Sequence, residues 1–288
     1  MLFLDPDQTR RCLPMAAAVE SQIGAFSDDI EIPLRQQLGG SLFMPGRVGD
    51  HTGIKIVSTV PGNPAGLVMV LGPDGSPLGV VDGPTLTAIR TGAGAGLATR
   101  LLAGPEVSTL AMLGAGAMAF DQVEAVRAVR PIRRVLVWSR TRERAAQLAE
   151  RVGGEVADDA DFAVSQADVV SCATPSEEPL FSSSSVSAGT HINAVGAFRP
   201  EMIEVPVETT RSAFVVVDDR EAAAHEAGDL LVAGKQADAT LGDLVAGRAH
   251  PPEGSVTFFK SVGVASQDVA GARAAVEEAR RSGIGTEV

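Results

Sequence analysis

Between an apolar strand, Thr109 to Leu113, and a helical stretch beginning near Phe120 lies the string Gly114-Ala115-Gly116-Ala117-Met118-Ala119. Glycines in such a string let the backbone turn sharply and come close to a pyrophosphate, whose charge then rests on the positive end of the following helix. Strings of this kind are common. This one gains meaning from the strand before it, the helix after it and a second strand, Arg134 to Trp138, at the expected spacing. After that second strand the chain reads Ser139-Arg140-Thr141-Arg142, with no carboxylate until Glu143. A dinucleotide with a free ribose 2′-hydroxyl calls for Asp or Glu here, whereas a 2′-phosphate calls for neutral and basic groups. Ser139 and Thr141 can donate to that phosphate, and Arg140, with Arg142 as a second candidate, can neutralise it. The expected cofactor is therefore NADP(H), with NAD(H) as the alternative.

Three cations stand out by their neighbours. Lys55 interrupts an apolar strand between Ile54 and Ile56, where a buried ammonium needs an anionic partner; it reads equally well as an edge-strand lysine reaching for water. Arg90 lies in a helical stretch beside small residues that allow a ligand to approach, and reads equally as a surface ion pair. Arg35 follows Pro33 in a polar stretch and, taken alone, reads as a solvated loop residue. No metal site is expected, because His225-Glu226 lacks the second histidine of a zinc motif and Asp229 stands in its place. His51 and His250 are scattered. His191 opens a strand, expected at the cofactor cleft, where it would orient a loop.

These residues must be held by a framework that changes rhythm along the chain. A short strand, Leu2 to Leu4, is followed by Asp5 and Asp7 as helix caps and a helical stretch from Met15 to Phe26. From Ser41 to Val81 the pattern is β. Ser41 to Met44, Gly53 to Ser58, Gly66 to Leu71 and Leu78 to Val81 are separated by Gly, Pro, Asn and Asp turns, as expected of an antiparallel meander. A helix is expected over 85–103. Strands at Thr109 to Leu113, Arg134 to Trp138, Asp168 to Ala173, His191 to Val195 and Phe214 to Val217 then alternate with helical stretches at Phe120 to Val129 and Glu143 to Val152. Such alternation implies a parallel sheet covered by helices. After Phe259 the series ends, and Asp268 to Arg281 reads as a closing helix. The expectation is an α/β protein: a dinucleotide domain over 105–262, inserted into a smaller α+β domain made of 1–104 and 263–288.

Composition narrows the functions. With 36 acidic against 24 basic residues the chain carries a net charge of -12, which disfavours a nucleic-acid partner. Two cysteines, Cys12 and Cys172, make no disulfide framework or CxxC pair. Met1-Leu2-Phe3-Leu4 followed by Asp5 lacks the form of a secretory signal, and no apolar run approaches the ~18 residues of a membrane span. A cytoplasmic enzyme is expected, with no membrane partner.

Several segments together resemble the ornithine cyclodeaminase / mu-crystallin family. They are Leu86 to Ala93, Gly114 to Ala119, Ala167 to Thr174, Gly189 to Gly196, His225 to Asp229, Thr257 to Gly263 and Gly283 to Thr286. The resemblance covers nearly the whole chain. It implies a Rossmann domain joined to a dimerisation domain, a homodimer, and a small imino or amino acid as substrate. It assigns the substrate carboxylate to Arg35, Lys55 and Arg90. It places Ala117 and Met118 at the pyrophosphate, and Thr174, Asn193 and Val195 in the cofactor cleft. Ser261 and Val262 would line the nicotinamide and substrate.

One segment departs from the family's cyclodeaminases. Those resemble one another in carrying Gly-Gly-Asp after Asn-Ala-Val, and that aspartate is their catalytic carboxylate. Here the chain reads Gly196-Ala197-Phe198-Arg199-Pro200-Glu201. Phe198 cannot take a proton or hold an amine, and would instead wall a substrate ring. The resemblance therefore implies an NADPH-dependent reductase of a cyclic 2-imino carboxylate, with Lys55 and Arg90 as the catalytic pair. Reductive amination of a 2-oxo acid, cyclodeamination and non-enzymatic ligand binding are the alternatives.

Overall fold

The computed structural model describes residues 1–60, 62 and 65–288. Pro61, Asn63 and Pro64, where the sequence predicts a turn, lie outside the described residues. The chain divides into two compact units, Met1–Gly94 with Val264–Val288, and Ala95–Gly263. The first boundary falls about ten residues before the one expected from sequence, within a helix, because the later half of that helix is tied to the second unit. There the Thr99 hydroxyl accepts from Asn193 Nδ2 (2.9 Å), and the Arg130 guanidinium donates to the carbonyls of Arg100 and Ala103.

Unit 1 begins with β1 (Leu2–Leu4), α1 (Pro6–Cys12) and α2 (Met15–Ala25). The strands β2 (Ile30–Glu31), β3 (Gln36–Leu38), β4 (Ser41–Val48), β5 (His51–Ser58), β6 (Gly66–Leu71) and β7 (Pro77–Asp82) follow, and then α3 (Gly83–Leu102). Asp5 caps α1 through a hydrogen bond from Gln8 N–H (2.8 Å), so one of the two predicted caps is used. The meander β4-β5-β6-β7 is antiparallel, and its last turn closes through Gly75 N–H to the Gly72 carbonyl. β1 joins β7 in parallel.

In unit 2, β8 (Thr109–Leu113), α4 (Ala119–Val129), β9 (Arg134–Trp138), α5 (Arg142–Val152), β10 (Glu155–Val156), α6 (Ala160–Ser165) and β11 (Val169–Cys172) come first. β12 (His191–Ala194), α7 (Val207–Ser212), β13 (Phe214–Val217), α8 (Arg220–Glu226), α9 (Gly228–Ala233), β14 (Ala239–Thr240), α10 (Leu241–Val245) and β15 (Thr257–Lys260) complete it. The sheet runs β10-β9-β8-β11-β12-β15-β13-β14, parallel throughout. Its strands are apolar on both faces, as burial between two helix layers requires. Leu110 and Met112 pack with Val123, Val126 and Leu148 of α4 and α5, while Ala111 and Leu113 pack with Ala163, Val164 and Leu230 of α6 and α9. β15 was not foreseen as a sheet strand: it follows β14 in sequence yet lies between β12 and β13. Four residues ending in lysine are too short to declare a strand by periodicity.

The chain then returns to unit 1 with α11 (Ala265–Ser282) and β16 (Thr286–Glu287), which pairs with β1. α11 lies on one face of the meander, and that face is cut low for it. Gly46, Gly53 and Gly79 stand on one cross-strand row, and a Cβ there would come within 2.9, 3.0 and 2.6 Å of Ala265 Cβ, Val269 Cγ2 and Val276 Cγ2. The helix starts three residues before its expected first residue, so Asp268 is buried in its first turn rather than capping it. Among the described residues no helix is long and apolar enough to cross a membrane.

Candidate active site

In unit 1 the inward row of the meander carries Lys55, which is only 4% exposed. Its cross-strand partners Met44 and Val68 are buried and apolar. Charge reaches it from elsewhere. Asp268 Oδ1 accepts from Lys55 Nζ (3.3 Å) and also from Arg90 Nε (3.0 Å), so one carboxylate oxygen bridges two cations. Arg90 NH1 donates to Gln267 Oε1 (3.1 Å), which also accepts from Val264 N–H. Gly94 lets Gln267 sit close, because a Cβ there would stand 2.6 Å from Gln267 Nε2 and push that amide aside. Burial pulls the Lys55 pKa down to about 8. Asp268 opposes the fall, while Arg90 and, from the loop before β3, Arg35 add to it. The structure thus brings Lys55 and Arg90 together on the Asp268 carboxylate, with Arg35 near enough to act on Lys55. Buried charges need partners, and here one carboxylate oxygen serves two buried cations.

In unit 2 the sheet order reverses at β8, whose neighbours β9 and β11 follow it in opposite directions. Ligands of such sheets lie at the carboxyl ends of the strands beside this switch point. Gly114 sits there with φ 106°, and a Cβ would be 2.7 Å from the Ala173 carbonyl oxygen. Gly116 is exposed with nothing within 4 Å of where its Cβ would be. Ala117 is exposed and Met118 half-buried, and no side chain caps the first turn of α4. That turn offers free N–H groups to a phosphate. Ala119 is fully buried and lets α4 pack close to the sheet. After β9, Ser139 is half-buried and Arg140 and Thr141 are exposed, and Ser139 Oγ accepts from Thr141 N–H (3.3 Å). Arg142 is not equivalent to Arg140: it opens α5 and pairs with Asp158 at 2.8 Å.

Four buried residues that sequence reasoning missed shape the strand ends. Glu204 Oε1 accepts from the Thr174 amide (2.6 Å) and hydroxyl, and its Oε2 accepts from the amides of Gly196 and Ala197. Asp229 Oδ1 accepts from the amides of Glu204 and Val205, and its Oδ2 lies 2.7 Å from Lys260 Nζ. Lys260 also donates to the Ala197 carbonyl (2.6 Å). Burial pushes the Glu204 carboxyl pKa up, with Lys260 and the amide donors opposing. Asp218 Oδ2 gathers Ser261 Oγ, Val262 N–H and Gly263 N–H, and its pKa too is raised by burial. Lys260 carried the same signal as Lys55, a cation ending an apolar run.

Several expected cofactor or substrate residues are engaged in these networks. The Asn193 side chain is buried and bonded to Thr99 and to His191 Nε2 (3.1 Å). His191, expected at the cleft, stands at the amino end of β12, bonded to Thr257; burial lowers its pKa to about 3, so it is neutral. The Ser261 hydroxyl is turned onto Asp218, and Val262 is buried. Thr174 holds Glu204. Val195 follows β12 and is buried, and Phe198 is 46% exposed with the Arg199 guanidinium 5.6 Å from its ring centre.

Sheet order and glycine turn define a Rossmann-type α/β protein with a second, antiparallel-sheet unit. The chain belongs to the ornithine cyclodeaminase/mu-crystallin family, whose model matches residues 14–283. It is 38% identical over 218 residues to the ketimine reductase mu-crystallin of Mus musculus, covering 75% of this chain and 70% of that one. The structure of Thermococcus litoralis Δ1-pyrroline-2-carboxylate reductase in complex with NADH and L-proline is similar at a TM-score of 0.92 and 30% identity, over 100% of both chains. An archaeal alanine dehydrogenase dimer with bound NAD is similar at a TM-score of 0.91 and 29% identity, over 100% of this chain and 98% of that one.

Proposed function

We propose that the chain is an NAD(P)-dependent reductase acting on C=N bonds, and that its substrate is a cyclic 2-imino carboxylate such as Δ1-pyrroline-2-carboxylate. The observation that carries this reading is the cation surplus around Asp268: Lys55 and Arg90 are bridged by one carboxylate oxygen, and Arg35 is close enough to depress Lys55. A substrate carboxylate restores the balance. The names and bound ligands of the similar proteins point to the same chemistry.

The residues present fit a dinucleotide. Gly114 and Gly116 leave room for a pyrophosphate against the uncapped turn of α4, and Ser139, Arg140 and Thr141 suit a 2′-phosphate, so NADP(H) is the preferred form. When bound, the dinucleotide supplies the hydride that forms the new C–H bond at the imine carbon. Arg90, held by Asp268 and Gln267, anchors the carboxylate and so fixes that carbon; such positioning is worth several orders of magnitude in rate. Lys55, with a pKa of about 8, gives the imine nitrogen its proton. The Nζ–H bond breaks as the N–H bond forms, the C=N π pair returns to nitrogen as hydride arrives, and Lys55 regains its proton from water. Phe198 in place of a carboxylate offers nothing to manage a primary amine, which disfavours cyclodeamination.

The same reading includes a homodimer built on the outer face of the meander. Pro45, Ile54, Met69, Val80 and Phe3 form one cross-strand row on the side away from α11. On that side Phe3 and Leu67 remain 40% and 38% exposed. An apolar row of this length suits a second copy of the same face.

The test is oxidation of NADPH by the purified protein with Δ1-pyrroline-2-carboxylate or Δ1-piperideine-2-carboxylate, between about pH 5 and 9. Turnover without ammonia is the expected result. No turnover with either imine overturns the reading, and strict dependence on ammonia with a 2-oxo acid replaces it with reductive amination.

A further inference from the structure

Asp268 has no part in the reaction as proposed, yet among the described residues it is the one carboxylate that touches both Lys55 and Arg90. Its Oδ1 takes both cations while its Oδ2 is buried with no hydrogen-bond partner among the described residues. Glu204, by contrast, has both oxygens filled by hydrogen-bond donors. Asp268 instead directs its charge at two side chains, one of which must carry an exchangeable proton.

We propose that Asp268 is a positioning residue that divides labour between the two cations: it keeps Lys55 protonated and aimed for proton transfer, and turns Arg90 edge-on so that its remaining N–H groups are left for the substrate carboxylate. This rests on Lys55 being the proton donor. Three charged groups face Lys55. Asp268 comes from α11, Arg90 from α3 and Arg35 from the loop before β3; β4 and β6 present only Met44 and Val68. Two of the three favour the uncharged amine and only Asp268 favours the ammonium. Without Asp268, Lys55 would lose its proton at a pH where the enzyme must still give it away. Arg90 Nε is committed to Asp268 and its NH1 to Gln267, leaving the other edge of the guanidinium for a ligand.

The experiment compares Asp268→Asn, Asp268→Glu and Gln267→Glu with the parent in two readouts. The first is the affinity for pyrrole-2-carboxylate, a planar unreactive anion, as a function of pH by calorimetry. The second is the pH profile of kcat/KM in imine reduction and in the reverse oxidation. In the parent, affinity falls as pH rises through about 8. Asp268→Asn is expected to move that fall down by about one pH unit or more, a tenfold weakening above the limb. It should move the alkaline limb of reduction and the acid limb of oxidation by the same amount. Asp268→Glu is expected to restore the parent profile. Gln267→Glu, which adds charge beside the same cations, is expected to move the fall upward, and decides the matter alone should Asp268→Asn fail to fold. A loss of affinity or rate that is uniform with pH, or profiles that superimpose, overturns the inference. A parent that binds pyrrole-2-carboxylate but turns over no imine overturns the reductase reading instead, since binding needs no chemistry.

Discussion

Two buried clusters of opposite bookkeeping occupy the two units. Around Asp268, among the described residues, two cations meet one carboxylate, one of whose oxygens has no hydrogen-bond partner. Around Lys260, two carboxylates face one cation, and four donors, three amides and one hydroxyl, fill both oxygens of Glu204. Amides are fixed donors that cannot leave, so the second cluster is complete without a ligand and acts as a strut behind Thr174, Gly196 and Ala197. The first is held together by flexible cationic side chains, and in the proposed function a substrate carboxylate completes it. Burial alone does not tell a binding site from a brace; the identity of the donors does.

That contrast can be broken most directly by removing one cation from each side. Lys260→Met strands Asp229 without its partner in a dry interior and should destabilise the protein by about 3–5 kcal/mol. Thermal or urea unfolding measures it, and a loss under 1 kcal/mol (well below that rough range) would remove the idea of a strut. Arg90→Ala leaves Asp268 still paired with Lys55, so stability should change little while kcat/KM for the imine falls roughly 100- to 1000-fold. A folded variant with near-parental rate would show that the cluster is not the anion site.

His191 sharpens the same distinction through pH. Its imidazole takes a proton near 6.5 in the unfolded chain but only near 3 in the fold, where burial favours the neutral ring against the opposing hydrogen bond to Asn193. The unfolded state therefore binds more protons between those values. Stability should fall as pH falls through that window, by up to about 1.4 kcal/mol per pH unit from this group. In His191→Gln that part of the acid loss should vanish from denaturation curves taken at pH 6 and 4 (on the order of two points across the window). The smallest effect is expected outside both clusters. Arg140→Ala should raise KM for NADPH about tenfold and leave KM for NADH unchanged, while Arg142→Ala, whose partner is Asp158, should do neither.

Much of the framework was legible because it is local. β8, β9 and β13 have the ends that their apolar runs announced, and the glycine turn lies where strand, loop and helix required. Lys55 was conspicuous as a charge inside an apolar strand, and the prediction that it needs an anionic partner is met by Asp268. The partner itself was not legible. Asp268 sits 213 residues away, where an acidic residue reads as an ordinary helix start. Asn193 shows the opposite difficulty. It stands near the end of a sheet strand where ligands gather, and its side chain donates to Thr99 Oγ1, a partner 94 residues away that the strand pattern does not announce.

The glycine row beneath α11 has a consequence beyond packing. Gly46 meets Ala265, three residues before Asp268 on the same helix turn, with no slack for a methyl group. Any substitution that lifts this end of the helix changes the Asp268–Lys55 separation, to which a charge interaction in a dry site is steeply sensitive. In the proposed mechanism the working pH is in this sense adjustable from the glycine row beneath the helix. Evolution, or an engineer, can retune it by trading hydrogen for methyl at a position that never meets the substrate.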